Sequence, residues 1–237
     1  MNPATTIARS ELVLGGQKSG KSRRAELLAR QWLAQSPAHR AVLIATAEPW
    51  DEEMRQRIAR HQGDRAQRVP GLATVEEPRE LAAALAQHSR PGTLVVVDCL
   101  TLWLTNWLMP ALDTPIPPGG GQGRGPAVHP DTPDAPGVAS PASPLPSGRD
   151  GAGYERNMPL APAWKAQSAH FFEAIKNASG PVVLVGNEIG LGVIPLGREV
   201  RAFVDALGQL NQQVAAACAR VTLMAAGLPL TLKDAAA

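Results

Sequence analysis

Residues 11–22 read ELVLGGQKSGKS, a short apolar run that ends in a glycine-rich turn. The residues that follow, Arg23–Arg30, have the composition of a helix, so the turn lies between a predicted strand and a predicted helix. Gly15 is followed by four residues and then by Gly20-Lys21-Ser22. In loops of this spacing, backbone amides cradle phosphates, the lysine neutralises the outer phosphates and the serine ligates Mg²⁺. The alternative is a glycine turn that binds nothing, but strand, spacing, Lys-Ser pair and helix together favour a phosphate-binding loop.

Length, charge and cysteine content narrow the class of protein. A chain of 237 residues can bury one substantial α/β core, and a formal net charge of +2 without blocks of like charge argues against a nucleic-acid partner. Cys99 and Cys218 form neither a metal-ligand pattern nor a disulfide framework, which favours a cytoplasmic setting. The most apolar stretch, residues 93–109, is short for a membrane span and is interrupted by Asp98 and Asn106, so no membrane anchor is expected.

Apolar runs alternate with helical segments along most of the chain, which predicts a mostly parallel sheet flanked by helices. The predicted strands are 12–14, 41–45, 72–75, 93–98, 181–186 and 221–227, with residues 228–232 expected to pair with the last strand. The predicted helices are 23–34, 51–61 ended by Gly63, 79–88, 100–108, 163–176 and 200–220. We therefore predict one α/β domain over residues 1–237.

The segment from 113 to 162 differs in character from the rest. It holds more than half of the 22 prolines, with glycine and serine and almost no aromatic or β-branched residues that could form a core. The composition predicts a disordered Pro/Gly-rich insertion within the domain.

Asp98 ends the apolar run 94–97 and has the form of the strand-end carboxylate that helps to hold Mg²⁺ in phosphate-loop proteins. An acid after a strand is common, so the upstream loop is what favours this metal role. Glu188 follows the strand at 181–186 in a loop that also contains Gly190 and Gly192. Because functional groups collect at the carboxyl ends of parallel strands, this loop is a candidate catalytic or switch loop; a glycine turn that serves only for shape is the alternative.

His61 shares one face of its predicted helix with the apolar residues Met54 and Ile58. A lone histidine on such a face is usually structural. The arginines around it in sequence favour the neutral, nucleophilic imidazole, although they also fit a solvated helix face. From the helix pattern alone the role of His61 stays open. The serine-hydrolase elbow and the zinc motif His-Glu-x-x-His are both absent.

Several segments together resemble one family, the bifunctional adenosylcobinamide kinase / adenosylcobinamide-phosphate guanylyltransferases of cobalamin biosynthesis. The phosphate loop alone is generic, whereas the blocks around His61 and after residue 186 are specific, and the resemblance spans nearly all of the chain outside the first residues and the insertion. The matching segments are 15–23, 44–47, Asp51-Glu52-Glu53-Met54 with Arg57, Ile58 and His61, 74–77, Asp98-Cys99-Leu100-Thr101 with Asn106, and 187–195 with Asn211-Gln212.

The resemblance implies a P-loop NTPase fold of the RecA-like type and two reactions. The first phosphorylates adenosylcobinamide with ATP or GTP, and the second transfers GMP from GTP to give adenosylcobinamide-GDP through a histidine–GMP intermediate, for which His61 is the matching residue. Lys21 is implied as catalytic, and Ser22 and Asp98 as Mg²⁺ ligands. The implied nucleotide-binding residues are Gly15, Gly16, Gln17, Lys18, Ser19, Gly20, Lys21, Ser22, Ala45, Thr46, Ala47, Gln62, Gly63, Asp64, Arg65, Glu76 and Asp98.

The resemblance also implies a homo-oligomer, specifically a trimer. The other partners that it implies are small-molecule substrates. Two alternatives are a P-loop kinase or NTPase for another small molecule, with His61 structural, and a non-catalytic nucleotide switch that uses the insertion as its binding arm. Neither alternative accounts for the joint occurrence of the two specific blocks.

Overall fold

The structure is a computed structural model that describes residues 6–49, 52–108, 160–193 and 195–235. Within these residues the strands are β1 (Ser10–Gly15), β2 (Arg40–Ala45), β3 (Leu72–Glu76), β4 (Thr93–Asp98), β5 (Val182–Val185), β6 (Arg220–Ala225) and β7 (Leu228–Asp234). The helices are α1 (Lys21–Gln35), α2 (Glu52–Arg68), α3 (Leu81–His88), α4 (Leu100–Leu108), α5 (Leu160–Lys176) and α6 (Arg198–Ala217).

The seven strands of the described residues form one sheet in the order β3-β2-β4-β5-β1-β6-β7. Every neighbouring pair is parallel except β6 and β7, which form the antiparallel hairpin predicted at the end of the chain. This confirms the predicted mostly parallel α/β sheet. Because the parallel strands end at one edge, the segments after β1, β2, β4 and β5 meet there.

Both faces of the sheet are buried, which is why its central strands are continuous apolar runs. One face packs against α4, α5 and α6 around the fully buried Trp103 and Phe171. The other face packs against α1 through Ala25 and Leu28, which contact side chains of β2 and β4. Helices on both faces therefore hold in place the edge of the sheet at which the parallel strands end.

Three sequence predictions of boundaries are wrong. Gly63 does not end its helix, because α2 continues to Arg68. The last helix ends at Ala217 rather than at residue 220, since Arg220 already pairs in β6. Helix α5 begins at Leu160, inside the insertion predicted for 113–162, and the rest of that predicted segment lies outside the described residues.

Candidate functional site

The phosphate loop joins β1 to α1 in a conformation that requires glycine at its start. Gly15 has a φ of +152°, and a Cβ there would lie 2.5 Å from the Met224 carbonyl oxygen and 2.6 Å from Ser19 Oγ. The Ser19 amide donates to the Gly16 carbonyl over 3.3 Å, and the Gly227 amide donates to the Ser19 carbonyl over 3.1 Å. These bonds bend the loop at the amino end of α1, the position at which helices bind anions.

Lys21 is the first residue of α1 and lies against this loop. Its side chain is buried, and Nζ donates to the Gly16 carbonyl oxygen over 2.5 Å. Burial lowers the pKa of Lys21, while negative charge at Cys99 and Asp98 would raise it. Burial also raises the pKa of the Cys99 thiol to about 12, so that thiol is protonated near neutral pH. Asp98 is therefore the acid that helps to keep Lys21 charged beside the loop.

The two predicted metal ligands are oxygen donors at the same edge of the sheet. Ser22 is exposed in the first turn of α1, and Asp98 is half-buried at the end of β4. Mg²⁺ prefers one or two protein oxygens and takes its other ligands from phosphates and water. A hydroxyl and a carboxylate next to a phosphate loop fit that cation.

Thr46 and Asn106 connect the loops that follow β2 and β4. Thr46 is fully buried; its hydroxyl donates to the Cys99 carbonyl over 2.7 Å and accepts the Cys99 amide over 2.8 Å. The Thr46 amide donates to the Asp98 carbonyl over 3.2 Å. Asn106 Nδ2 donates to the carbonyls of Thr46 and Pro78 over 2.8 and 3.0 Å. The hydroxyl, amide and carbonyl of Thr46 thus all form hydrogen bonds within the protein. These bonds hold the segments after β2 and β4 together near Asp98.

Helix α2 carries His61, whose side chain lies outside what the structure describes. Side-chain hydrogen bonds attach this helix to the rest of the domain. Gln62 Nε2 donates to Glu76 Oε1 over 2.9 Å, which joins two of the residues predicted to bind nucleotide. Arg68 donates to both carboxylate oxygens of the buried Glu26 on α1, over 2.7 and 3.1 Å. The helix of His61 is therefore tied to the helix that begins at the phosphate loop.

The other predicted residues of this segment differ in exposure. Gly63 and Asp64 are exposed on α2, and Asp64 lies 3.8 Å from Arg68 across one helical turn. Arg65 is half-buried, and its Nε atom is buried with no hydrogen-bond partner among the described residues. A buried guanidinium nitrogen without a partner is costly unless a further acceptor binds there.

A cavity of about 400 Å³ adjoins the phosphate loop on the side of β6. Its lining includes loop residues 16–19, Glu188, Leu191, the end of β6 at residues 223–225 and Ala226 in the following turn. The Glu188 amide donates to the Gly15 carbonyl over 3.0 Å, so the segment after β5 lies directly against the loop. Sheet order explains this contact, because β5 pairs with β1.

The sequence analysis includes Asn211 among the matching segments, whereas the Glu26–Arg68 pair is not predicted there. Asn211 on α6 is buried and donates to the Asn187 carbonyl over 3.0 Å, which holds the segment before Glu188. Glu26 and Arg68 were not singled out, since a pair separated by 42 positions leaves no local pattern. A buried acid at an apolar helix position is the one signal that could have revealed Glu26.

None of the helices in the described residues combines the length and apolarity needed to cross a membrane.

Comparison with known proteins gives consistent matches. The CobU family, described as cobinamide kinase / cobinamide phosphate guanyltransferase, matches residues 11–232. The bifunctional adenosylcobalamin biosynthesis protein CobP of Pseudomonas aeruginosa is 39% identical over 224 residues, which is 94% of this chain and 96% of that protein. The bifunctional adenosylcobalamin biosynthesis proteins CobU of Escherichia coli and Salmonella typhimurium are each 30% identical over 222 residues, with 94% of this chain and 98% of each relative covered.

Proposed function

The chain belongs to the CobU family of cobinamide kinase / cobinamide phosphate guanyltransferase proteins, and from that premise we propose that it catalyses both reactions. In the first, the γ-phosphoryl group of ATP or GTP is transferred to the hydroxyl of adenosylcobinamide. In the second, GMP from GTP is transferred to the new phosphate, which yields adenosylcobinamide-GDP and pyrophosphate. The observation that carries the proposal is a phosphate loop with its buried lysine, tied through Glu26 and Arg68 to the helix of His61.

For the kinase step, the loop amides and Lys21 bind the β- and γ-phosphates. The charge of Lys21 offsets the negative charge that develops on the departing nucleoside diphosphate. Ala45 pairs with Asp98 in the sheet, and Thr46 follows Ala45. Both residues therefore form part of the sheet edge that carries Asp98. Phosphoryl transfer depends chiefly on such positioning and charge stabilisation.

For the guanylyl step, the neutral imidazole of His61 attacks the α-phosphorus of GTP. A phosphorus–nitrogen bond forms, the bond to the pyrophosphate oxygen breaks, and pyrophosphate leaves; the acceptor phosphate then displaces the histidine. The contact between Gln62 and Glu76 supports this role. It holds the carboxylate of Glu76 beside the residue that follows His61 on α2. Glu76, and Arg65 Nε, which has no partner among the described residues, are suited to polar groups of the guanosine.

Mg²⁺ is part of the proposal, with Ser22 and Asp98 as its protein ligands. When bound, this cation neutralises phosphate charge and orients the triphosphate. The two residues supply the oxygen atoms that Mg²⁺ prefers, and they leave its remaining positions for phosphate and water.

The proposal includes assembly into a homo-oligomer, with a trimer as the specific expectation. Strand β7 lies at one edge of the sheet and exposes Leu228, Leu230 and Leu232 at 70, 57 and 56%. Exposed leucines of this density are typical of a subunit contact.

The cytoplasm, which supplies nucleoside triphosphates, is the compartment that these reactions require.

The proposed function is tested by product analysis of a single turnover. Purified protein is incubated with adenosylcobinamide and ATP, then with GTP, and the corrinoids are identified by mass spectrometry. We expect adenosylcobinamide phosphate and then adenosylcobinamide-GDP, with Lys21→Met losing the first product and the exposed Lys176→Met on α5 retaining both. Nucleotide hydrolysis without a modified corrinoid would contradict the proposal.

A further inference from the structure

Glu188 lines the same cavity as the phosphate loop, yet none of the roles above uses its carboxylate. Its position is fixed by three contacts. The Glu188 amide bonds to Gly15, the Gly190 amide donates to Oε1 over 2.8 Å, and Asn211 Nδ2 lies 3.5 Å from Oε2. A carboxylate held in this way next to the phosphate loop points to a chemical role rather than to a mobile surface side chain.

The negative charge of Glu188 limits the chemical roles that its carboxylate can have in this cavity. A negative side chain beside a triphosphate weakens nucleotide binding, because like charges repel at short range. The same carboxylate suits a neutral hydroxyl that must lose a proton as it attacks phosphorus. The acceptor of the kinase step is a group of that kind.

The loop after Glu188 exposes three apolar side chains, one of which lines the cavity. Leu191 lines the cavity and is 81% exposed, and Val193 and Leu196 are each 97% exposed. A nucleotide offers little apolar surface to such side chains, whereas a large macrocycle with methyl groups does. Leu191 and Glu188 line the same cavity, so one substrate can contact both side chains.

We propose that Glu188 is the general base of the kinase step and that Leu191, Val193 and Leu196 support the corrinoid acceptor. The acceptor hydroxyl oxygen bonds to the γ-phosphorus, and its proton passes to the Glu188 carboxylate. The bond from the γ-phosphorus to the bridging oxygen breaks, and the nucleoside diphosphate leaves with the electron pair. Glu188 then releases its proton to water. This inference rests on the proposed function.

Glu188→Gln tests the base, because it keeps the shape of the side chain and removes its basicity. We expect phosphorylation of adenosylcobinamide to fall by about 10²- to 10⁴-fold, the usual contribution of a general base. Labelling of the protein by α-labelled GTP, which needs no acceptor hydroxyl, should stay within about twofold of wild type and shows that the variant is folded. The control is Glu199→Gln, which makes the same change at an exposed residue of α6.

Two further measurements separate a base from a structural residue. The kcat/KM of the wild type for adenosylcobinamide should fall at acidic pH as one group is protonated, and Glu188→Gln should lack that dependence. Glu188→Asp, which retains a base, should phosphorylate faster than Glu188→Gln. Kinase activity of Glu188→Gln near the wild-type level, or an equal loss of both activities, would overturn the assignment.

Val193→Asp tests the apolar surface. We expect the KM for adenosylcobinamide to rise at least about tenfold, as for lost apolar contacts in a substrate site, with the KM for ATP unchanged. Leu27→Asp, at a residue of α1 that is 40% exposed, is the control outside the loop. An unchanged KM together with a smaller sedimenting species would identify a subunit contact and overturn this part of the proposal. Wild-type protein that forms neither product would overturn the proposed function itself.

Discussion

The Thr46 hydroxyl and the Cys99 backbone exchange two hydrogen bonds, one to the Cys99 carbonyl at 2.7 Å and one from its amide at 2.8 Å. This exchange joins the segment after β2 to the segment after β4, where Asp98 ends its strand. Both groups of Cys99 are buried, so the Thr46 side chain supplies hydrogen bonds that water cannot replace. The contact fixes the edge of the sheet that we propose binds Mg²⁺ and phosphates.

Thr46→Val should destabilise the protein, because it leaves the buried Cys99 amide without a partner and leaves the Cys99 carbonyl only the bond from the Trp103 amide. We expect a loss of about 1 to 3 kcal/mol in the free energy of unfolding, from one buried amide left unpaired. Thr74→Val, at an exposed position of β3, should change it by less than about 0.5 kcal/mol. Urea denaturation measures both variants, and equal stability of the two would show that the exchange contributes nothing.

Gly15→Ala should distort the phosphate loop, since the added Cβ would meet backbone and side-chain atoms at 2.5 and 2.6 Å. Strain of this kind costs about 1 to 3 kcal/mol. Gly16→Ala is the matched control, because a Cβ at Gly16 meets nothing within 4 Å. We expect Gly15→Ala to lower the melting temperature and Gly16→Ala to leave it nearly unchanged. A similar loss in both variants would contradict this account of the loop.

As the pH rises, the affinity for ATP should begin to fall at a lower pH than it would if Lys21 were exposed to solvent. Burial lowers the pKa of Lys21 below its usual 10.5, and only the protonated amine attracts phosphate. Bound phosphate favours the proton, so affinity falls and proton uptake on binding rises as the pH passes the lowered pKa. Isothermal titration calorimetry between neutral pH and the usual lysine pKa measures both effects. Lys21→Arg should show neither, because arginine does not titrate in that range.

The contact between Arg68 and Glu26 should hold α2 in place for the guanylyl step. Arg68→Met leaves the Glu26 side chain, which is 5% exposed, buried without its partner. We expect a loss of about 1 to 3 kcal/mol in stability and a larger loss of guanylylation than of kinase activity. Replacing both residues with apolar side chains should restore stability but not guanylylation.

The exposed Arg60→Met, on the same helix, is the control for that charge change. If Arg68→Met lowered kinase and guanylyl activities equally, the contact would serve general stability rather than the position of α2.

The sequence predicted the strands and the phosphate loop well because both depend on local patterns. It failed at Gly63, where a glycine costs only about 1 kcal/mol inside a helix and distant contacts outweigh that cost. The Arg68–Glu26 ion pair is one such contact, and it lies beyond the apparent end of the predicted helix.

The arrangement of the candidate site could be predicted less well than its residues. The position of Glu188 beside Gly15 depends on β5 pairing with β1, across 173 positions of sequence. Thr46 matched a nucleotide-binding segment, but its role as a brace to Cys99 depends on pairing between β2 and β4. Composition and periodicity carry no information about which distant strands become neighbours.

The most direct test of the central claim is covalent labelling of the protein with GTP that carries its label at the α-phosphate. We predict one label per active site that is lost in acid, survives alkali as a phosphoramidate does, and disappears in His61→Ala. His170→Ala, at an exposed position of α5, should retain the label. A label that persists in His61→Ala, or wild-type protein that takes up none, would contradict the account.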